Sequence, residues 1–199
     1  MFFFLLDCSR HKFVELSAGN DWSGVVCPIE PGHQRATQRI TPLHLGIVSS
    51  KIVDFAETIL SDLVVTDRVV ETLNASKLTG FETRQAIINT HPRNWQASQV
   101  PRLWELVITG HAGFAASESN IFAKEKCATC GWIQYSAFEN GIYVNENTYD
   151  GSDFCVITEY PKHILVSESS KRLIEGNGFT NANFTDSKKI RWPIGVARP

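Results

Sequence analysis

Two stretches of the chain carry the same order of apolar and polar positions. DLVVTDRVVETLNASKLTGF begins at Asp62 and HILVSESSKRLIEGNGFTNA begins at His163, and the two align without gaps. In each, an apolar triplet (Leu63, Val64, Val65; Ile164, Leu165, Val166) runs into a hydroxyl residue and an acid (Thr66, Asp67; Ser167, Glu168). A triplet rich in β-branched residues predicts a short buried strand. The hydroxyl suits an N-cap, and the acid behind it suits the positive end of a helix. A helix of about ten residues should follow. Gly80 and Asn181 suit the turn out of it. Each copy is therefore a strand–helix unit. A repeated unit predicts one domain, residues 1–199, with two pseudo-repeated halves at about 1–100 and 101–199.

Further strand patterns fall at Phe2–Leu6, Lys12–Leu16, Arg102–Thr109, Ile133–Tyr135, Ile142–Val144 and Phe154–Thr158, with a weaker helical pattern at Lys51–Leu60. The Pro- and Gly-bearing stretches from Pro28 to Pro42 and from His91 to Pro101 read as irregular. The expected class is α+β, with mixed and antiparallel sheets, two similar strand–helix units and a zinc-ribbon-like knuckle.

That knuckle is CATCGW, Cys127 to Trp132. Two thiols at this spacing can grip one metal ion from a single turn, and Gly131 supplies the left-handed backbone such a turn requires. The pair precedes a strand pattern, WIQYS, whereas a redox pair usually follows a strand and opens a helix. A tetrahedral site needs two more ligands, and VVCPIEPGHQR is the best source. There Cys27 precedes Pro28, the position expected for a second cysteine holds Glu30, and His33 stands three residues on. Cys27, His33, Cys127 and Cys130 together would form a Cys3His set, which Zn2+ accepts readily; Glu30 is the weaker substitute for His33. With all four positions filled by protein the ion would be structural, since a catalytic zinc keeps one position open for water. A knuckle that has lost its metal, leaving Cys27 as a core residue, and a redox role for the thiols are the alternatives.

Composition narrows the function. The chain has 199 residues, 43% of them hydrophobic, enough for a core without disulfides. A net charge of −2 without a basic face argues against a nucleic-acid or membrane-surface binder. MFFFLLDCSR has no basic lead, too short an apolar run and no cleavage site, so it reads as a buried strand rather than an export signal. No stretch is long enough to span a bilayer. A cytoplasmic protein is expected, in which five cysteines are thiols or metal ligands.

The order of several blocks resembles the double-CXXCG motif proteins, a family expanded in myxobacteria. The blocks are MFFFLLD, WSGVVCP, LVVTDRVVETLNASKLTGF, VPRLWELV, CATCGW, GSDFCV and ILVSESSKRLIEGNGFTNANF. The resemblance implies two metal-type knuckles. Cys127 and Cys130 match the second, but only Cys27 matches the first, because Glu30 occupies its partner position. Some members are described as immunity proteins, so the resemblance implies a cytoplasmic protein that binds and neutralises a cognate bacterial toxin. The chain itself carries no G-x-S-x-G, H-E-x-x-H or phosphate-cradling glycine motif, so no enzyme is expected. A zinc-ribbon-like nucleic-acid binder and a small enzyme are the competing readings. Glu139, Glu146, Asp150, Asp153 and Glu159 form the densest acidic stretch, and would face either solvent or a basic partner. Trp22, Trp95, Trp104, Trp132 and Trp192 are anchors if exposed and core if buried; about three are expected in the core. His11, His44, His91, His111 and His163 are isolated, and Cys8 and Cys155 sit among apolar residues as small hydrophobes.

Overall fold

A computed structural model describes residues 1–8 and 13–191, the side chains of Val25 and of residues 34–38 excepted. The strands run in chain order: β1 (Phe3–Asp7), β2 (Val14–Leu16), β3 (Trp22–Val26), β4 (Gln34–Arg39), β5 (His44–Ile47), β6 (Phe55–Glu57), β7 (Leu63–Thr66), then helix α1 (Asp67–Ala75). They continue as β8 (Phe81–Gln85), β9 (Ile87–Thr90), β10 (Leu103–Ile108), β11 (Gly110–His111), β12 (Ala123–Lys126), β13 (Ile133–Tyr135), β14 (Phe154–Val156) and β15 (Leu165–Ser167). Helix α2 (Glu168–Gly176) and β16 (Asn183–Asp186) complete the set. The class is α+β, with two α-helices among the described residues and mixed and antiparallel sheets.

The two strand–helix units occupy equivalent places in two equivalent sheets. One sheet has the order β6-β7-β10-β8, and the other contains β14-β15-β1-β16 with β11 added at its edge. Every neighbouring pair in the two four-strand series is antiparallel. The registers match as well: Leu103 of β10 lies opposite Thr66, and Phe3 of β1 lies opposite Ser167. β10 therefore corresponds to β1, but each sits in the sheet whose other strands come from the opposite half. The halves are joined by reciprocal exchange of their first strands.

A pair of aspartates locks this exchange. Asp54 accepts from the Thr66 hydroxyl at 3.0 Å and from the Thr180 backbone N–H at 2.9 Å. Asp153 accepts from the Ser167 hydroxyl at 2.7 Å and from the Thr79 backbone N–H at 3.1 Å. Each carboxylate thus ties the start of its own helix to the chain leaving the other half's helix. The residues that follow, Gly80 and Asn181, both take positive φ (87° and 66°). At Gly80 a Cβ would stand 2.0 Å from the Phe154 carbonyl oxygen, so no side chain fits there. The main core lies between these elements: Phe55, Val65, Val69 and Leu73 from one half pack with Leu106, Phe154, Val166 and Ile174 from the other.

The structure corrects several expectations. Lys51–Leu60 is not helical: Phe55–Glu57 is a strand paired antiparallel to β7, with Phe55 and Ala56 both buried, and sheet pairing overrides the weak helical period. The supposedly irregular Pro28–Pro42 stretch contains β4, whose polar sequence QRATQR hides a strand paired with β3. Ile142–Val144 forms only an isolated bridge between Val144 and Ala115. Thr66 donates its hydroxyl to Asp54 and makes no side-chain cap on α1, whereas Ser167 both donates to Asp153 and accepts from the Ser170 N–H. None of the four described tryptophans is fully buried; Trp104 and Trp95 pack on the rims of two core clusters, and Trp192 lies outside the described residues, as do His11 and Lys12. Among the described residues, no helix is long and apolar enough to cross a membrane.

Candidate metal centre

Two hairpins in equivalent places of the two halves each present one turn. β3 and β4 are joined by residues 27–33, CPIEPGH, and β12 and β13 by residues 127–132, CATCGW. Cys27 directly follows β3 and Cys127 directly follows β12. The first turn is stiffened by Pro28 and Pro31 and closed by the His33 N–H on the Glu30 carbonyl at 2.9 Å. The second is closed by the Gly131 N–H on the Cys127 carbonyl at 2.9 Å and the Cys127 N–H on the Trp132 carbonyl at 2.8 Å. Gly131 takes φ of 70°, the left-handed conformation the sequence pattern called for.

The turns meet. The Sγ atoms of Cys27 and Cys127 are 3.9 Å apart across 100 residues of chain. Donor atoms of Cys27, His33, Cys127 and Cys130 all lie within 4.8 Å of one another, close enough to hold one metal ion. Cys27 is buried, and the other three are partly so. The His33 ring stacks on Trp132 at 4.2 Å between centroids, with planes 12° apart, which fixes its orientation. Its Nδ1 is buried without a hydrogen-bond partner. A buried ring nitrogen without a hydrogen-bond partner calls for an explanation, and a bound ion supplies one.

The thiols are electrostatically prepared. Backbone N–H donation from Cys130 holds the Cys127 thiol down at about 6, with a hydrogen bond from His33 and a further N–H from Thr129 assisting. These donors favour the Cys127 thiolate, the form a metal requires. Cys130 receives an N–H from Trp132, but burial and the adjacent Cys127 and Cys27 sulfurs outweigh it and push this thiol up. Proton loss from the second thiol is resisted until a cation shares the charge.

The first hairpin is anchored by an ion network that the sequence does not reveal. Arg39, the last residue of β4, is almost fully buried and pairs with Glu105 of β10 and, at 3.5 Å, with Asp62. Burial raises the Glu105 carboxyl above its ordinary value, Arg39 pulls it back, and Asp62 adds to the rise. One guanidinium thus binds the Cys27-bearing hairpin to the strand that the halves exchange.

The remaining sequence candidates lie elsewhere. Cys8 and Cys155 are buried in separate core clusters, and burial pushes both thiols up, Cys155 to about 12. The acidic stretch is largely absorbed by internal bonds. Asp150 accepts from the His111 N–H, Asp153 from Thr79 and Ser167, Glu159 from the Ala115 N–H, and Glu146 pairs with the N-terminal amine. His44 contacts Asn89, His91 is exposed, and His163 packs edge-on against Phe138 and Tyr160. Trp132, whose stacking role was not foreseen, was signalled only by its place directly after the CxxCG run.

Comparison with known proteins finds no protein-family model that matches the chain and no curated protein significantly similar to it.

Proposed function

We propose that the protein holds one structural Zn2+ on Cys27, His33, Cys127 and Cys130, and works as a binding protein of the immunity class that neutralises a bacterial toxin. The observation that carries the metal half is the meeting of two turns, one from each half, around a common point. Three sulfurs and one imidazole suit zinc, which prefers soft thiolate and nitrogen donors in tetrahedral array. With zinc–sulfur bonds of ~2.3 Å, a tetrahedral edge is about 3.8 Å. The Cys27–Cys127 separation of 3.9 Å matches that edge. With protein donors in all four positions the ion stabilises the fold and activates no water.

The binding role is supported by the resemblance of the motif blocks to immunity proteins. It also agrees with Cys8 and Cys155, the two thiols outside the metal set, which burial raises, the opposite of an activated nucleophile. The decisive test is genetic and biochemical together. The product of the gene adjacent to this one should be toxic when expressed alone, harmless when co-expressed with this protein, and recovered with it in a one-to-one complex. A neighbour without toxicity, or toxicity that persists on co-expression, contradicts the neutralising role.

A further inference from the structure

Beside the metal centre the surface sinks into a depression of about 630 Å3, whose walls include Ile29, Glu30, His33, Glu125 and Trp132. Its chemistry is lopsided. Its wall holds two acids, Glu30 and Glu125, beside Cys127, and Lys124 and Lys126, on either side of Glu125 in β12, do not line it. A divalent ion held there on three thiolates would add one further net negative charge beneath the floor. The rim is apolar: Ile29 is 71% exposed. Ile29 lies between Pro28 and Pro31 in a turn that the Gly32 N–H tightens further by bonding the Glu30 carboxylate at 3.1 Å. A large apolar side chain held out on a stiff turn loses little entropy when covered, which is the character of an interface anchor.

We propose that this depression is a docking point for a partner protein, and that it receives an arginine side chain with an apolar residue beside it. The inference rests on the binding-protein reading and names the contact that reading leaves open. The flat guanidinium lies against the exposed part of the Trp132 indole and forks onto Glu125 and Glu30, while the neighbouring apolar residue covers Ile29. Lysine offers a point charge without the plane or the fork, so it fits less well.

The test uses the zinc-loaded full chain and a minimal probe, N-acetyl-arginine amide, titrated while backbone and indole N–H resonances are followed. Saturable shifts confined to Trp132, Glu125 and residues 29–33 are expected, with weaker shifts from N-acetyl-lysine amide and none from N-acetyl-leucine amide or acetate. Glu125 is exposed on its strand, so Glu125→Gln should leave the fold intact and weaken arginine binding about fivefold. Absence of saturable shifts at these residues overturns the proposal, as do equal shifts from acetate or binding unchanged in Glu125→Gln. The titration needs no toxin, so its failure and a failed neutralisation assay are separate results.

Discussion

The sulfurs of Cys27 and Cys127 lie 3.9 Å apart and occupy corresponding turns of two exchanged halves, separated by 100 residues. A shared ion at this point closes a long loop and couples both halves to one equilibrium. Binding to the folded form alone then adds directly to stability.

The correspondence extends to the second ligand position. By the same spacing Glu30 stands where Cys130 stands in the other turn, and His33 supplies the donor that Glu30 does not. His33→Ala should therefore lose tight zinc binding, and the double variant Glu30→Cys/His33→Ala should regain it as a four-sulfur site. Cobalt substitution reads this out: the double variant should show stronger sulfur-to-metal charge transfer than the wild type. A double variant as weak as His33→Ala would show that the turns are not equivalent.

Arg39 pairs with both Glu105 and Asp62 in one buried network. Arg39→Met should cost about 3–5 kcal/mol at neutral pH, because two carboxylates are left together in a poorly solvated place. The sign of the pH effect follows from Glu105. Its folded value is raised, so the stability it contributes is present below its ordinary value of 4.5 and lost as pH rises through the folded value. Without Arg39 that loss grows, so the deficit of the variant should shrink towards acid. Urea unfolding at several pH values measures it.

Asp54 has the opposite sign. Burial raises its carboxyl, but donation from Thr180 and Thr66, with Arg68 nearby, more than offsets this and leaves it below its ordinary 3.8. Its contribution is full above that value and is lost as pH falls through the lowered one. Asp54→Asn should be destabilised at neutral pH, with a gap to the wild type that narrows in acid. A gap independent of pH would show that the charge of Asp54 plays no part.

Much of this organisation was legible beforehand. The apolar triplets, the helices behind them, the left-handed positions at Gly80 and Asn181 and the CxxCG turn follow from local pattern and spacing. In the sequence Cys27 and His33 are the best source of the remaining donors, and the structure brings all four together. What was hidden depends on pairing between distant segments. β4 is written in polar residues because its identity as a strand comes from β3, and β6 imitated a helix until β7 claimed it. The strand exchange could not be read at all, since β1 and β10 look alike as short apolar runs and nothing local says which sheet each enters. Arg39 gave no signal, because a lone arginine at a strand end is usually solvated.

The exchange makes its own prediction. Chains cut within the 96–99 stretch, exposed and just after the half-buried Trp95, should yield two fragments that are each unstructured alone, because each lacks a central strand of its sheet. Mixed in the presence of zinc, they should associate one to one and recover the circular dichroism of the intact chain. A fragment that folds independently would contradict the exchange.

The central claim is that one ion holds the two halves through these four side chains. Its most direct test is the metal content of protein purified without chelators, measured on the wild type and on Cys27→Ser and Cys130→Ser. One zinc per wild-type chain, its loss from both variants and a drop in stability on the order of several kcal/mol are predicted. A metal-free wild type of unchanged melting temperature after chelation, or zinc retained in both variants, would contradict it.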